Sequence, residues 1–590
     1  MLANLLRARG LRARRETFAA SPRRGRHRCR GSSLLKTLAA LCLLGAGVFA
    51  PHRLSAQARP DAGQTLESVH PPPAVPDRNP AAALPPEAER PAMVALDAQR
   101  VLVRHWRITG AHIFPVADLE NLIREYRGQS LTMGELNAVA GRITTYYRRH
   151  GYLLSRAYVP AQSVRDGAVE IAVIEGHLAE IDVTNTSPAS GHLITKHLEH
   201  LRSMGAVEGQ TLERSLLLLS DLPGVEVRST LMPGATVGTS NLDVQVRGTN
   251  RLNGSVDADT FGNRYTGQYR AGGTLNVNDP FHYGDLLTLR ADSSGPDMNY
   301  GRVAWQTPLG GNGLKAGVAG SDLNYRLGKE FKSLEAHGSA EVYTLWAAYP
   351  VIRTLYRNLA VQLSYDEKRL DDRVDSTDSD SHKTLGVLTL GLSGDRTDGV
   401  GGGGVSVYSL NLITGNVRLD HVTAAIDQGA GGHHTEGRYN KLAFTYSRTQ
   451  TLTEELVVYT ALTGQVSRKN LDSSETQSLG GAYGVRAYPQ NEATGDDVTA
   501  LSVELRWKQP NLPELQTIGF FDTGTARLNH SPLPTDTNNR RTLSGEGFGL
   551  QWARANRFAL KTYVAWRSTA PPTTDIDRRP RLWLEFAQYF

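Results

Sequence analysis

A membrane β-barrel of antiparallel strands, preceded by two small α/β modules, is the fold class this sequence predicts. Three observations predict it. Over residues 250–590 apolar and polar residues alternate with period two in run after run, which puts one set on each face of a strand. The polar set includes full charges and Gln deep within the runs, as a hydrated lumen allows when the apolar face meets lipid. Residues 101–247 carry a β-α-α-β-β pattern twice in tandem, the mark of a repeated module.

Composition supports this reading. The chain of 590 residues exceeds one ordinary domain. Charged residues at 21%, hydrophobic residues at 40% and a mean hydropathy of −0.35 exclude a polytopic helical membrane protein, whose spans need ~20 apolar residues each. Barrel strands escape that test because their alternation averages out polar. The 58 glycines suit a chain with many tight turns.

The first element is a leader. Lys36 precedes an apolar run that ends near Ala50, and Ala56-Gln57-Ala58 follows. Charged region, apolar core and small-residue exit make residues 1–58 a secretory signal peptide with a long basic n-region. That segment holds 12 of the 65 Lys+Arg but only Glu16 of the 59 acids, so the remainder has 53 bases against 58 acids, a net of −5. Nucleic-acid binding through a basic surface loses its support. Both cysteines, Cys29 and Cys42, lie in the leader. The exported chain is left with no disulfide, thiolate metal site or cysteine nucleophile.

Residues 59–99 are rich in Pro and Ala and read as an extended spacer. Within them, 60–69 reads either as tail or as a short helix with Pro60 in its first turn. The first module occupies 100–176. A strand near 101–110 leads to helices marked by Val116, Leu119 and Ile123 and by Leu136, Val139, Ile143 and Tyr147. Gly151-Tyr152 stops the second helix, and strands follow at 157–160 and 169–176. The second module, 177–249, repeats the order with a strand at 180–183, helices at 191–203 and 210–220, and strands at 224–231 and 241–247. Such sheets have open edges, which can accept an extended polypeptide as an added strand.

Residues 250–590 form the barrel. Leu359, Val361, Leu363 and Tyr365 illustrate the apolar face, as do Leu442, Phe444 and Tyr446, and Leu501, Val503, Leu505 and Trp507. At ~10 residues per strand, 16 strands use ~160 residues and leave ~12 for each connection. Asp522 shares strand parity with Phe520 and Gly524, so all three point inward. Beside Arg486 this gives either two unrelated lumenal charges or a bidentate pair. The chain ends in alternating residues, Leu582, Leu584, Phe586 and the terminal Phe590 among them.

Several motifs together carry a family resemblance that covers roughly 60–590. Gly151-Tyr152, Val159-Pro160-x-Gln162, Asp166-Gly167 and Ile174-Glu175-Gly176 resemble the first POTRA domain of two-partner secretion transporters, the TpsB family. Asn278-x-Pro280 with Tyr283-Gly284-Asp285 resembles the family's early barrel hairpin. Leu479-Gly480-Gly481-x-x-Gly484-Val485-Arg486-Ala487-Tyr488 resembles its large in-folded loop, and Phe520-x-Asp522-x-Gly524 the strand motif facing the loop tip.

The resemblance implies sixteen strands, a plug helix at 60–69 and a linker between plug and POTRA. It also implies an Arg486–Asp522 pair that locks the loop to the wall. Phe586 and Phe590 become the signal read by the barrel assembly machinery. The implied place is the bacterial outer membrane, surrounded by lipid, with the POTRA domains in the periplasm. The implied function is export of a large TpsA-like exoprotein through its N-terminal secretion domain. An outer-membrane insertase of the BamA type, which shares these domains, is the alternative. Ala487 stands where the family often has Gly; a positive φ there would cost about 1 kcal/mol.

No catalytic site, cofactor or metal is expected. The sequence has no GxSxG elbow, HExxH, Walker loop or Cys/His cluster. Gly311-x-Gly313 reads as hairpin glycines, and His433-His434, Asp371-Asp372 and the Asp/Ser run at 375–381 as solvated loop.

Overall fold

The computed structural model describes residues 59–69, 100–203 and 205–590; the expected leader (1–58) and most of the Pro-rich linker (70–99) lie outside the described residues. Residues Ala62–Val69 form helix α1.

The first module contains β1 (Arg100–Leu102), β2 (His105–Thr109), α2 (Val116–Ile123), β3 (Ser130–Thr132), α3 (Met133–Arg149), β4 (Arg156–Tyr158) and β5 (Ala168–Ile174). Thr132 and Glu135 close a capping box at the start of α3, satisfying two N–H groups left open there. Leu136, Val139, Ile143 and Tyr147 form its buried face, as the helical spacing dictates. Gly151 takes φ +95° just beyond the helix end, a left-handed position that glycine enters without strain. The sheet runs β2-β5-β4, with β1 and β3 as a separate ribbon.

The second module contains β6 (His177–Asn185), α4 (Gly191–Arg202), α5 (Gly209–Ser220), β7 (Val225–Pro233) and β8 (Thr239–Gly248), with sheet order β6-β8-β7. The modules are joined by backbone hydrogen bonds: Gly209 N–H to the Gly151 carbonyl (2.8 Å) and Val207 N–H to the Gly176 carbonyl (2.9 Å).

Sixteen strands, β9 (Leu252–Asp259) to β24 (Arg581–Tyr589), form a closed antiparallel barrel. Closure leaves no unpaired edge, the condition for crossing lipid with strands. The strands run from 8 to 20 residues, and most exceed the ~10 that spanning requires. The surplus lies mainly in β14 (Ala336–Arg353), β15 (Arg357–Val374) and β16 (Ser379–Asp398). The seam pairs Ser255–Asp259 with Glu585–Tyr589, and Phe590 exchanges backbone bonds with Gly254 at 3.0 and 3.1 Å. Leu363, Tyr365, Leu501, Val503, Leu505, Trp507 and Phe586 are exposed on the outer face.

The second module sits on the end of the barrel with the short turns. Arg353 grips Asp221 bidentately at 2.6 and 2.8 Å. Glu213 accepts the Leu355 N–H at 2.6 Å, and Arg214 donates to the Pro350 carbonyl at 2.7 Å. The leucine run 216–219 of helix α5 has two partners. Leu216 and Leu219 enter its own core, while Leu218 packs on the turn containing Gly313. The Gly311 and Gly313 pair is that hairpin turn, between β12 (Met298–Pro308) and β13 (Lys315–Arg326).

Candidate functional site

The site is the barrel lumen, and two segments fill it. One is the connection between β19 (Leu456–Ser467) and β20 (Asp497–Gln509), which folds inward. Its Val485 and Tyr488 are fully buried, as is Leu479. They pack against Phe520 and Ile518 of β21 (Leu512–Arg527), Leu543 of β22 (Arg540–Arg554) and Ala565 of β23 (Phe558–Arg567). The wall makes room with glycine. A Cβ on Gly524 would lie 2.4 Å from Leu479, and one on Gly545 2.3 Å from the Ala487 methyl. Ala487 keeps a negative φ; the left-handed residues of this loop are Gly481, Asn491 and Ala493. The expected strain at Ala487 therefore does not arise.

At the tip, Arg486 and Asp522 form a fork of two bonds, Nε–Oδ2 at 2.8 Å and Nη2–Oδ1 at 2.7 Å. The Arg486 backbone N–H adds a third at 3.1 Å. The guanidinium also reaches Glu504 at 2.7 Å and Ser502 at 3.0 Å, and lies 3.6 Å from the centre of the Phe520 ring. Arg506 holds the other oxygen of Glu504 at 2.7 Å. Two cations thus balance two carboxylates. Side-chain exposure is 5% for Arg486, 5% for Glu504 and 1% for Asp522. At that burial every charge needs its partners, because an unpaired ion in a dry site is costly.

Sequence reasoning missed three supports of this loop. Trp583 Nε1 donates to the Arg486 carbonyl at 2.7 Å. Tyr488 meets Thr569 and the Ala570 carbonyl at 2.7 and 2.8 Å. Glu492, with no exposed surface, accepts the N–H groups of Thr573 and Thr574 at 2.9 Å each. Glu504 carried a signal, since it alternates with Val503 and Leu505 and so faces inward. Glu492 and the 569–574 connection carried none, because no period links two loops.

The second segment is α1. Asp371 and Asp372, expected in solvated loop, lie in strand β15, because alternation continues past the bilayer. Asp372 is buried on the inner wall and accepts the Ala62 N–H at 2.8 Å, and Lys383 lies 3.6 Å from Asp61. Arg270 donates to the Ser68 carbonyl at 2.9 Å. The in-folded loop holds the helix from its other side. Ser478 N–H donates to Glu67 at 2.8 Å, and a Cβ on Gly63 would lie 2.5 Å from the Ser474 nitrogen. Ala62 and Leu66 sit in a cluster with Tyr300, Leu323, Tyr325, Leu370, Leu385 and Tyr439 from the inner wall. The lumen at this level is therefore packed and partly apolar rather than lined by charge alone, because it must seat an amphipathic helix. Plug and loop touch each other and the wall, so moving one disturbs the other.

The remaining predicted residues lie elsewhere. Glu175 accepts the His112 and Ile113 N–H groups at 2.7 Å each and the Tyr147 hydroxyl at 2.8 Å. Burial pushes its carboxyl up, but these donors outweigh burial and hold it below the ordinary value. Gln162 pairs its amide with the backbone of Glu170 at 2.7 and 2.8 Å, as a neighbouring strand would. Gly167, at φ +72°, follows Asp166 in a turn whose carbonyl accepts the Arg104 N–H. Tyr152 packs edge-on to Phe114. Pro160 leads from β4 to Gln162, whose amide it accepts at 3.3 Å. Gly176 serves the junction between modules. Phe586 and Phe590 lie on the outer face at the seam. His433 meets Asp536 at 3.1 Å in a loop.

A closed barrel with a helix and a loop in its lumen, preceded by two α/β modules of which the second sits on its short-turn end, has the architecture of an outer-membrane pore with periplasmic domains. The family model described as haemolysin secretion/activation protein ShlB/FhaC/HecB matches residues 238–552, and a ShlB-type POTRA domain model matches 101–176. The chain belongs to that family, the TpsB transporters of two-partner secretion. It is 25% identical over 481 residues to the heme/hemopexin transporter protein HuxB of Haemophilus influenzae strain 86-028NP, covering 80% of this chain and 84% of that one. It is 22% identical over 489 residues to the outer membrane transporter CdiB of Dickeya dadantii, covering 81% and 84%. Among solved structures, CdiB from Escherichia coli superposes with a TM-score of 0.68 at 20% identity, covering 87% of this chain and 94% of that chain.

Proposed function

We propose that this protein is the outer-membrane pore through which one large partner exoprotein leaves the cell. The observation that carries the reading is the double occlusion of the lumen. A passive channel has no use for a plug, and the plug here is a separate helix attached by hydrogen bonds at its two ends. In this reading the modules capture the N-terminal secretion domain of the partner in the periplasm. The unpaired edges of β6 and β7 are each nine residues long, enough to accept an extended strand. Helix and loop then yield the lumen to the passing chain. The Arg486–Asp522–Glu504 cluster acts as the lock that returns the loop to its seat. The terminal Phe590, with Phe586, serves the barrel assembly machinery during insertion. The work is transport without catalysis.

The family match favours export over the insertase alternative. The test is deletion of the gene, followed by analysis of the medium and of the outer membrane. Loss of one very large secreted protein is the expected result. Broad loss of outer-membrane barrels, with secretion intact, would instead make the protein an insertase.

A further inference from the structure

Away from the lumen, the outer face of the barrel has an arc of arginines at the end opposite the modules. Arg418 on β17 (Gly404–Leu419), Arg438 on β18 (Gly437–Thr451) and Arg468 just after β19 are all exposed. Their chain neighbours Val417, Tyr439 and Ser467 are buried in the lumen, so strand parity turns the three guanidiniums outward. Asn416 pairs with Arg438, and Arg468 N–H bonds to the Asn440 carbonyl. Successive arginines are thus diagonal neighbours, ~7–8 Å apart at the backbone.

None of the three has a carboxylate partner among the described residues. The lumenal arginines differ: Arg270, Arg290, Arg486 and Arg506 all have one. Glu436, two residues before Arg438, forms no ion pair with any of the three among the described residues, and two other acids close in sequence are committed to backbone donors. Asp420 caps a helix through Val422 and Thr423, and Asp427 accepts the Thr435 and Glu436 N–H groups. Around the barrel the arc continues with Arg527 directly opposite Arg540. Like charges in that position repel, and Asp497 lies 3.9 Å from Arg527. Just below the first three arginines lies a concave strip of outer surface lined by Leu388, Leu390, Leu412, Leu442 and Val466, with Arg468 at its rim.

We propose that this arc binds the headgroup of a glycolipid carrying two phosphates in the outer leaflet, with acyl chains in the leucine strip. The guanidinium fork matches phosphate bidentately. Several cations at strand spacing match a headgroup with more than one anionic group. The single phosphodiester of a glycerophospholipid engages one of them. The site rests on the membrane placement argued above, and its test separates the two.

The experiment uses the full-length protein in dodecyl maltoside and bisphosphorylated lipid A as the probe, with bound lipid counted by native mass spectrometry. The expected result is saturable binding that weakens with salt. Dephosphorylated lipid A, phosphatidylglycerol and inorganic phosphate should each bind at least about tenfold more weakly. Arg418→Gln/Arg438→Gln/Arg468→Gln should lose at least about tenfold in affinity, and the matching triple Lys variant, which keeps the charge but not the fork, should fall between it and the wild type. Heat-modifiable gel mobility checks that each barrel is folded; if the Gln variant fails that check, the lipid comparison on the wild-type protein decides. Equal binding of lipid A with and without its phosphates overturns the site, as does equal binding of phosphatidylglycerol. So does a folded Gln variant with unchanged affinity, or a dimer that covers the strip. Ion conduction in a planar bilayer together with any of these results would leave the membrane placement standing and remove the site alone.

Discussion

Replacing Arg486 with alanine should free the loop tip while the barrel stays closed. The substitution removes the one cation that touches both Asp522 and Glu504. Glu504 keeps Arg506, and Asp522 keeps only the Ser502 hydroxyl at 2.8 Å and the tip's own N–H. Breaking one partner from a buried pair costs about 3–5 kcal/mol, chiefly the penalty of the charge left behind. With about 1.4 kcal/mol per factor of ten, the seated state loses ~100-fold or more against the released one. The strand ladder contributes nothing to that difference, so assembly should be normal. Residues 59–590 contain no cysteine, and a thiol introduced at buried Ala482 of the same loop gives a direct assay. Its modification by a polar maleimide should accelerate ~100-fold in the Arg486→Ala background, in line with that equilibrium shift. Adding Asp522→Asn and Glu504→Gln should recover much of the protection, because no charge is then left unpaired. Unchanged labelling in Arg486→Ala would refute the reasoning.

Three further outcomes follow from the same geometry. Gly545→Val should unseat the tip with no charge altered, because a side chain there collides with Ala487; single-channel recordings should show higher conductance than wild type. Asp372→Ala should loosen the plug by about 1.5–3 kcal/mol, the worth of a hydrogen bond to a charged group, seen as more frequent channel opening in planar bilayers. Glu175 has a folded-state pKa below its ordinary value of 4.5, so its contribution is complete above that value and fades as pH falls through the folded pKa. Hydrogen exchange at Ile113 should therefore lose protection as the pH falls through that lowered pKa in the wild type, and a Glu175→Gln variant should lack that dependence.

The barrel and the order of the modules were legible because they are periodic. Leu501, Val503, Leu505 and Trp507 alternate with polar residues, and all four are exposed on the outer face. Helix α3 could be read from Leu136, Val139, Ile143 and Tyr147, the residues that form its buried face. The strands' reach beyond the bilayer was not legible, since alternation continues past the membrane with nothing to mark its surface. The partial filling of the lumen by Tyr300, Leu323 and Tyr439 was hidden for another reason: inward apolar residues look like defects in the pattern until a plug gives them a partner.

By itself the sequence determined which residues face lipid, which face inward, and which motifs belong to the loop and the wall. These follow from local rules of period two and 3.6 and from residue type. Only the tertiary structure decided what meets across the lumen: Glu492 with the threonines of another loop, Trp583 with the Arg486 carbonyl, Glu67 with Ser478. Each of these contacts joins residues 81 to 411 positions apart. No repeating pattern spans such distances; closure of the barrel brings those residues together.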